Sequence, residues 1–336
     1  EQETGRCTWA IQARAFLAQQ SAGTHHMTQP PMTSIDLKAA AMLLLLAAVW
    51  GGSFFFAEVA LSEVPPFTIT LHRVFWAVPI LALVVRVKAL PVPRTLKVWS
   101  AYLVMGALNN AIPFSLVFWG QTQISGGLAS ILNATTAMFA AVVAGLLLKD
   151  EPLTPKKIIG ATVGVAGVAF IMGPGALTEF NPGNAAQLAI LGATLSYAFA
   201  GVWGRTALSG QPPLVNAFGM LVGSTVLMIP VVLFVDGPPV IALSSGVWAA
   251  LIGMAALSTS LAYFLYFAIL ARSGAANLLL VTLLIPPFAI ALGVTFLGER
   301  MAPEAWIGFA IIALGFAVTD GRLFSRFYRR GSQKPE

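Results

Sequence analysis

The chain has 336 residues, 57% of them apolar and only 10% Asp, Glu, Lys or Arg, where a soluble domain carries roughly a quarter charged residues. So few charges cannot cover a water-facing surface, which excludes a soluble enzyme and points to segments that cross a bilayer. The net charge of +6 does not point to nucleic acid, because the basic residues lie in short connections and a tail, with no basic helix among interleaved aromatics.

Residues 1–34 are polar and irregular and lack the basic, apolar and small-residue segments of a secretory signal. They read as a disordered leader in which Met27 or Met32 is a better start than Glu1. Cys7, the only cysteine, leaves no intrachain disulfide and no multi-cysteine metal site, and the His25-His26 pair reads as incidental. Beyond the leader, Pro, Gly and charge punctuate ten apolar runs of spanning length: 37 to 60, 66 to 88, 97 to 119, 124 to 147, 156 to 173, 185 to 205, 213 to 235, 247 to 270, 276 to 297 and 303 to 320. Each is continuously apolar rather than alternating, which favours helices over a barrel.

Lysine and arginine concentrate on the cytoplasmic side of a membrane. With the amino end inside, Arg86, Lys88, Arg94, Lys97, Lys149, Lys156, Lys157, Arg205 and Arg272 all fall on the inner side, with a basic tail at 322–336. Glu58, Glu63, Glu179, Asp236, Glu299 and Glu304 fall on the outer side, with Arg300 the one basic exception. An odd span count would scramble this segregation, so the sequence predicts an even count with both ends inside.

A shift of 148 residues places Ser125-Gly126 on Ser273-Gly274, Gly145 on Gly293, Glu151 on Glu299, Pro155 on Pro303, Gly160 on Gly308 and Gly167 on Gly315. The pattern predicts a five-helix unit used twice, at 35–173 and 184–321. Five is odd, so the second copy enters the membrane from the opposite side. Inverted repeats of this kind place a substrate site near the midplane between the halves.

The segment Leu146 to Pro155, LLLKDEPLTP, is echoed by TFLGERMAP at Thr295 to Pro303; Trp50-Gly51-Gly52 lies in span one and Arg73 in span two. Together these motifs resemble the EamA-type permeases of the drug/metabolite transporter superfamily across roughly residues 37 to 320. The resemblance implies an all-α integral membrane protein that carries metabolites across a bacterial inner membrane and binds no cofactor. In one respect the chain departs from that pattern: Pro286-Pro287 sits in span nine, but Met138 and Phe139 stand at the shifted positions in span four, so a helix break is expected in span nine only.

Candidate site residues are the polar and amphipathic side chains near midplane: Trp50, Ser53, Asn109, Asn110, Asn133, Thr135, Thr136, Tyr197, Ser258, Ser260 and Tyr263, with Pro286 for the carbonyls it frees. At that depth they face a cavity or another helix, and the sequence leaves both open. Arg73 is the one charge well inside a span; it either contacts a substrate anion or pairs with Glu58 across the first hairpin, the reading that hairpin proximity favours. No Asp or Glu lies at any midplane. The expected function is a secondary transporter of small polar or amphipathic metabolites with a small-molecule substrate and the bilayer as partners. The other classes weighed are an intramembrane lipid enzyme, for which no HExxH, second buried His or carboxylate pair is present, and a scaffold, for which no long loop is present.

Overall fold

The computed structural model describes residues 36–172 and 182–320; the leader with Cys7 and His25-His26, Glu179 and the basic tail lie outside the described residues. In chain order the first half contains α1 (Leu37–Leu61), α2 (Pro66–Val87), α3 (Leu96–Gly106) and α4 (Ile112–Gln121) joined by the π-helical segment Ala107–Ala111, then α5 (Gly126–Asn133), α6 (Thr136–Leu147) and α7 (Pro155–Met172). The second half contains α8 (Pro182–Ala207), α9 (Pro213–Val235), α10 (Ser245–Ala255) and α11 (Ala262–Leu278) around a second π-helical segment, Ala256–Leu261, then α12 (Val281–Leu297) and α13 (Pro303–Asp320). Among the described residues there is no strand.

Local chemistry sets the helix starts. Asp36 caps α1 by accepting from the Ala39 amide at 2.8 Å, and its hydrogen bond with Arg272 lowers its carboxyl from 3.8 to about 2. Five helices open on a proline, where the missing N–H would have had no intrahelical partner. With α3–α4, α5–α6 and the α10–α11 rod to Gly274 each taken as continuous, nine helices among the described residues are long and apolar enough to cross a membrane. The run expected at 276 to 297 yields a shorter helix, Val281–Leu297 of 17 residues, because a turn at Leu279-Leu280 interrupts it.

That turn corrects the expectation of a break in span nine only. Span four is broken too, between α5 and α6, and the two breaks are repeat mates: Thr135 N–H donates to Leu132 O at 3.1 Å, and Leu283 N–H donates to Leu280 O at 3.2 Å, each pair 148 residues apart. The prolines do not create the second break. They lie inside α12, and Pro286 occupies the place where Met138 N–H donates to Thr135 O at 3.0 Å in the first half. Threonine hydroxyls add a second donor or the only one to carbonyls at both breaks, Thr135 to Leu132 O at 2.7 Å, Thr136 to Asn133 O at 2.6 Å and Thr282 to Leu279 O at 2.8 Å.

Packing crosses between the halves almost throughout. α1 lies chiefly against α12, α10 and α11, and α8 against α4 and α6; α2 lies along α9, and α7 along α13. In the α7–α13 seam a Cβ on Gly315 would stand 2.6 Å from Gly160 O, and one on Gly167 would stand 2.9 Å from Gly308 O. The two glycines that repeat in each fifth helix thus meet each other reciprocally, and small residues let these helices touch backbone to backbone.

Candidate functional site

Each half carries a π-helical segment in its third spanning helix at the same place. The π-helical segments Ala107–Ala111 and Ala256–Leu261 overlap under the 148-residue shift, and each carries the polar residues of its span. A π turn bonds residues five apart, which leaves its carbonyls to be met by side chains. Thr259 Oγ1 donates to Met254 O at 3.1 Å and Ser260 Oγ donates to Ala255 O at 3.0 Å.

Arg73 lies seven residues into α2, about 10 Å from its start. It is buried, 7% exposed, and all its hydrogen-bond acceptors are neutral. Nε donates to Thr259 Oγ1 at 3.1 Å, Nη1 to Ser53 Oγ at 2.7 Å and Nη2 to Ser258 O at 3.4 Å, while the guanidinium carbon stands 3.8 Å from the centroid of the Phe114 ring. The ion pair with Glu58 expected from the hairpin is not formed. Glu58 accepts instead from Gln121 Nε2 at 3.1 Å, a group that also donates to Phe54 O at 2.9 Å. The physical reason is depth: Arg73 does reach α1, but at Ser53, five residues or about 7 Å further in than Glu58, which Gln121 of α4 holds.

The other sequence candidates gather around this centre. Ser258 Oγ donates to Val49 O at 2.8 Å and so ties the second π segment to α1. Asn109 Nδ2 donates to Tyr263 Oη at 3.4 Å and to Asn110 Oδ1 at 3.3 Å, Tyr263 Oη donates to Asn110 Oδ1 at 3.4 Å, and Asn110 Nδ2 donates to Ser224 Oγ at 3.2 Å. Trp50 lies 6.1 Å from the Tyr266 ring, which stands edge-on to Phe267. Asn133 ends α5 with its side-chain carbonyl buried and without a partner. Pro286 is buried in α12, beside Ile285, whose carbonyl would stand 3.0 Å from a Cβ added at Gly51.

A cavity of about 320 Å³ opens at the bundle end that carries Glu151, Lys157, Arg205 and Asp320. Its walls are Ala137, Ala140, Ala141 and Ala144 on one side and Ala198, Gly201 and Val202 on the other, so it runs about 10 Å along α6. None of the sequence candidates lines it. Tyr197 immediately precedes Ala198, the innermost wall residue on α8, and Asn133 ends α5 across the break from Ala137, the innermost wall residue on α6. The rim is crossed by Arg205, which pairs with both Asp150 and Glu151.

The opposite end is closed by three carboxylates, each reaching into the other half to accept from a helix amino terminus. Glu299 accepts from Gly126 N at 3.1 Å and Gly127 N at 3.2 Å, at the head of α5. Asp236 accepts from Thr68 N at 2.8 Å, and Glu63 accepts from Ser244 N at 2.8 Å. Charge-assisted bonds to the positive end of a helix dipole are among the stronger surface contacts.

Thr259, Phe114, Gln121, Ser224 and Tyr266 were not among the sequence candidates. Thr259 stood between two that were, and Gln121 fell just past the expected end of span three; Phe114 and Tyr266 carry no signal in an apolar span.

The sequence profile described as the EamA-like transporter family matches this chain twice, at residues 37–173 and 184–319. Among its relatives is an uncharacterized transporter of Bacillus subtilis, YoaV, 24% identical over 80% of this chain and 91% of the relative. Protein PecM of Dickeya dadantii is 25% identical over 85% and 93%. A protein named as a probable terminal-alkyne amino-acid exporter in Streptantibioticus cattleyicolor is 27% identical over 89% and 98%. A solved crystal structure shares the fold at a TM-score of 0.62 and 18% identity, covering 87% of this chain and 98% of the other.

Proposed function

We propose that this chain, which belongs to the EamA-like transporter family, exports small polar or amphipathic metabolites, amino acids and related compounds among them, by alternating access between its two halves. The observation that carries this reading is the unequal state of two repeat mates. Glu299 sits on the amino terminus of α5 and closes one face, whereas Glu151, the same position in the other half, lies at the rim of the open cavity and pairs with Arg205. In an inverted repeat, exchanging these two states opens one face as it closes the other. The charge distribution supports placing the cavity mouth and both termini in the cytoplasm, the latched face outside, and Val281–Leu297 with its preceding turn as a tenth span in a bacterial inner membrane. The amino-acid exporter among the relatives supports that substrate range and direction.

Transport by the purified full chain in proteoliposomes tests the reading. Loaded vesicles should exchange labelled amino acids with the medium, and the E299Q variant should alter the rate without loss of fold. Absence of exchange across a broad panel of amino acids, cationic drugs and metabolites would overturn it.

A further inference from the structure

Resting on the transporter reading above, we propose that Arg73 is the docking point for a carboxylate, or an equivalent singly charged anionic group, of the transported solute. The first ground is a charge without a countercharge. The ion pairs among the described residues are Arg205 with Asp150 and Glu151, and Arg272 with Asp36, all exposed; none involves Arg73. A buried cation held only by neutral dipoles has lost its hydration without gaining an anion. Mere bridging between α1, α2 and the second π segment needs donors and not a charge, so a neutral amide would do it at lower cost.

The second ground is donor arithmetic. A guanidinium has five N–H groups, and three are engaged, one on each nitrogen. One N–H on Nη1 and one on Nη2 remain for the oxygens of a carboxylate. The third is pre-organisation. Ser53 and Thr259 hold the edges of the group and Phe114 covers one face at 3.8 Å, so the plane is fixed before a ligand arrives. The fourth is position. Ser196, two residues before Ala198 of the cavity wall, donates through Oγ to Leu108 O in the first π segment at 2.7 Å, and Phe114, three residues past that segment, covers the guanidinium, so the first π segment joins the inner end of the cavity wall to Arg73.

The test compares isosteric pairs that differ only in charge, benzoate with benzamide, phenylacetate with phenylacetamide and L-leucine with L-leucinamide, as thermal shifts of the full chain in detergent. The wild type should be stabilised by at least one carboxylate with an affinity about tenfold or more above its amide. R73K keeps the charge but not the fork and should retain a reduced preference; R73Q should lose it. A wild type that responds to no carboxylate, or equally to acid and amide, overturns the inference even if no variant folds, and so does an R73Q protein that still discriminates. Uptake of the same compounds into proteoliposomes separates the two readings. Equal carriage of acids and amides leaves the transporter standing and removes the role of Arg73, whereas charge-selective binding without movement removes the transporter and keeps the anion site.

Discussion

A single methyl group at the α7–α13 seam should loosen the whole molecule. The G315A substitution builds a Cβ 2.6 Å from Gly160 O and 2.7 Å from Gly164 N. Both are backbone atoms in the middle of a helix, so neither can rotate away, and a normal contact of about 3.4 Å requires the helices to part by roughly 0.8 Å. Overpacking of this kind costs about 1–3 kcal/mol, and a part of the dispersion along the remaining seam goes with it. The control is G201A. Nothing lies within 4 Å of that Cβ, and Gly201 is inside α8, so alanine should be neutral or stabilise by about 0.5–1 kcal/mol through helix propensity. Apparent melting followed by tryptophan fluorescence in detergent reads both, with G315A falling by about 2–6 °C and G201A level or slightly raised. A G315A protein as stable as wild type, or a G201A protein that falls as far, would refute the packing argument.

Four further outcomes follow from the structure. Q121A removes the amide that holds both Glu58 and Phe54 O, and should lower stability by about 1–3 kcal/mol in the same melting assay. P286M replaces the proline with the residue its repeat mate carries, Met138, so the Leu279-Leu280 turn should survive and stability should change by less than about 1.5 kcal/mol; loss of folding would show that the proline makes the break. D36N keeps the α1 cap and loses the charge facing Arg272. Because Asp36 is lowered to about 2 in the folded chain, its contribution is complete above 3.8 and lost as pH falls through about 2, so the gap between wild type and D36N should close over that window in melting scans. E299Q should raise labelling of an S125C thiol by a membrane-impermeant maleimide in a C7S background, since the amide cannot match the carboxylate's hold on Gly126 N and Gly127 N.

Helix starts were legible because they are local. Pro66, Pro213 and Pro303 open helices where the sequence placed them, and Pro155 and Pro182 open theirs one and three residues before the expected starts. The duplication was legible because glycine, glutamate and proline repeat at one offset, and the structure gives those glycines a shared task in the α7–α13 seam. Side-chain partners were a different matter. Hairpin proximity brings Arg73 to α1, but at Ser53 rather than Glu58, and its other partners, Thr259 and Ser258, come from the opposite half, which no local pattern encodes. The π segments were hidden for a related reason. Asn109-Asn110 and Ser258 to Ser260 showed where polar groups lie, but the extra residue in the turn depends on what packs around it. The break in span four was missed because proline was taken as its cause, when Thr135 and Thr136 satisfy the same geometry with hydroxyls.

The claim that the two faces open in turn is tested most directly from the cavity floor. With Cys7 replaced by serine, an A137C thiol labelled by an impermeant maleimide in oriented vesicles reports which face reaches it. Labelling is expected from the cytoplasmic face in the wild type, with access moving to the outer face when E299Q releases α5 or when a transported solute is added. A thiol reached from the cytoplasmic face alone under all of these conditions, in protein that still transports, would contradict it.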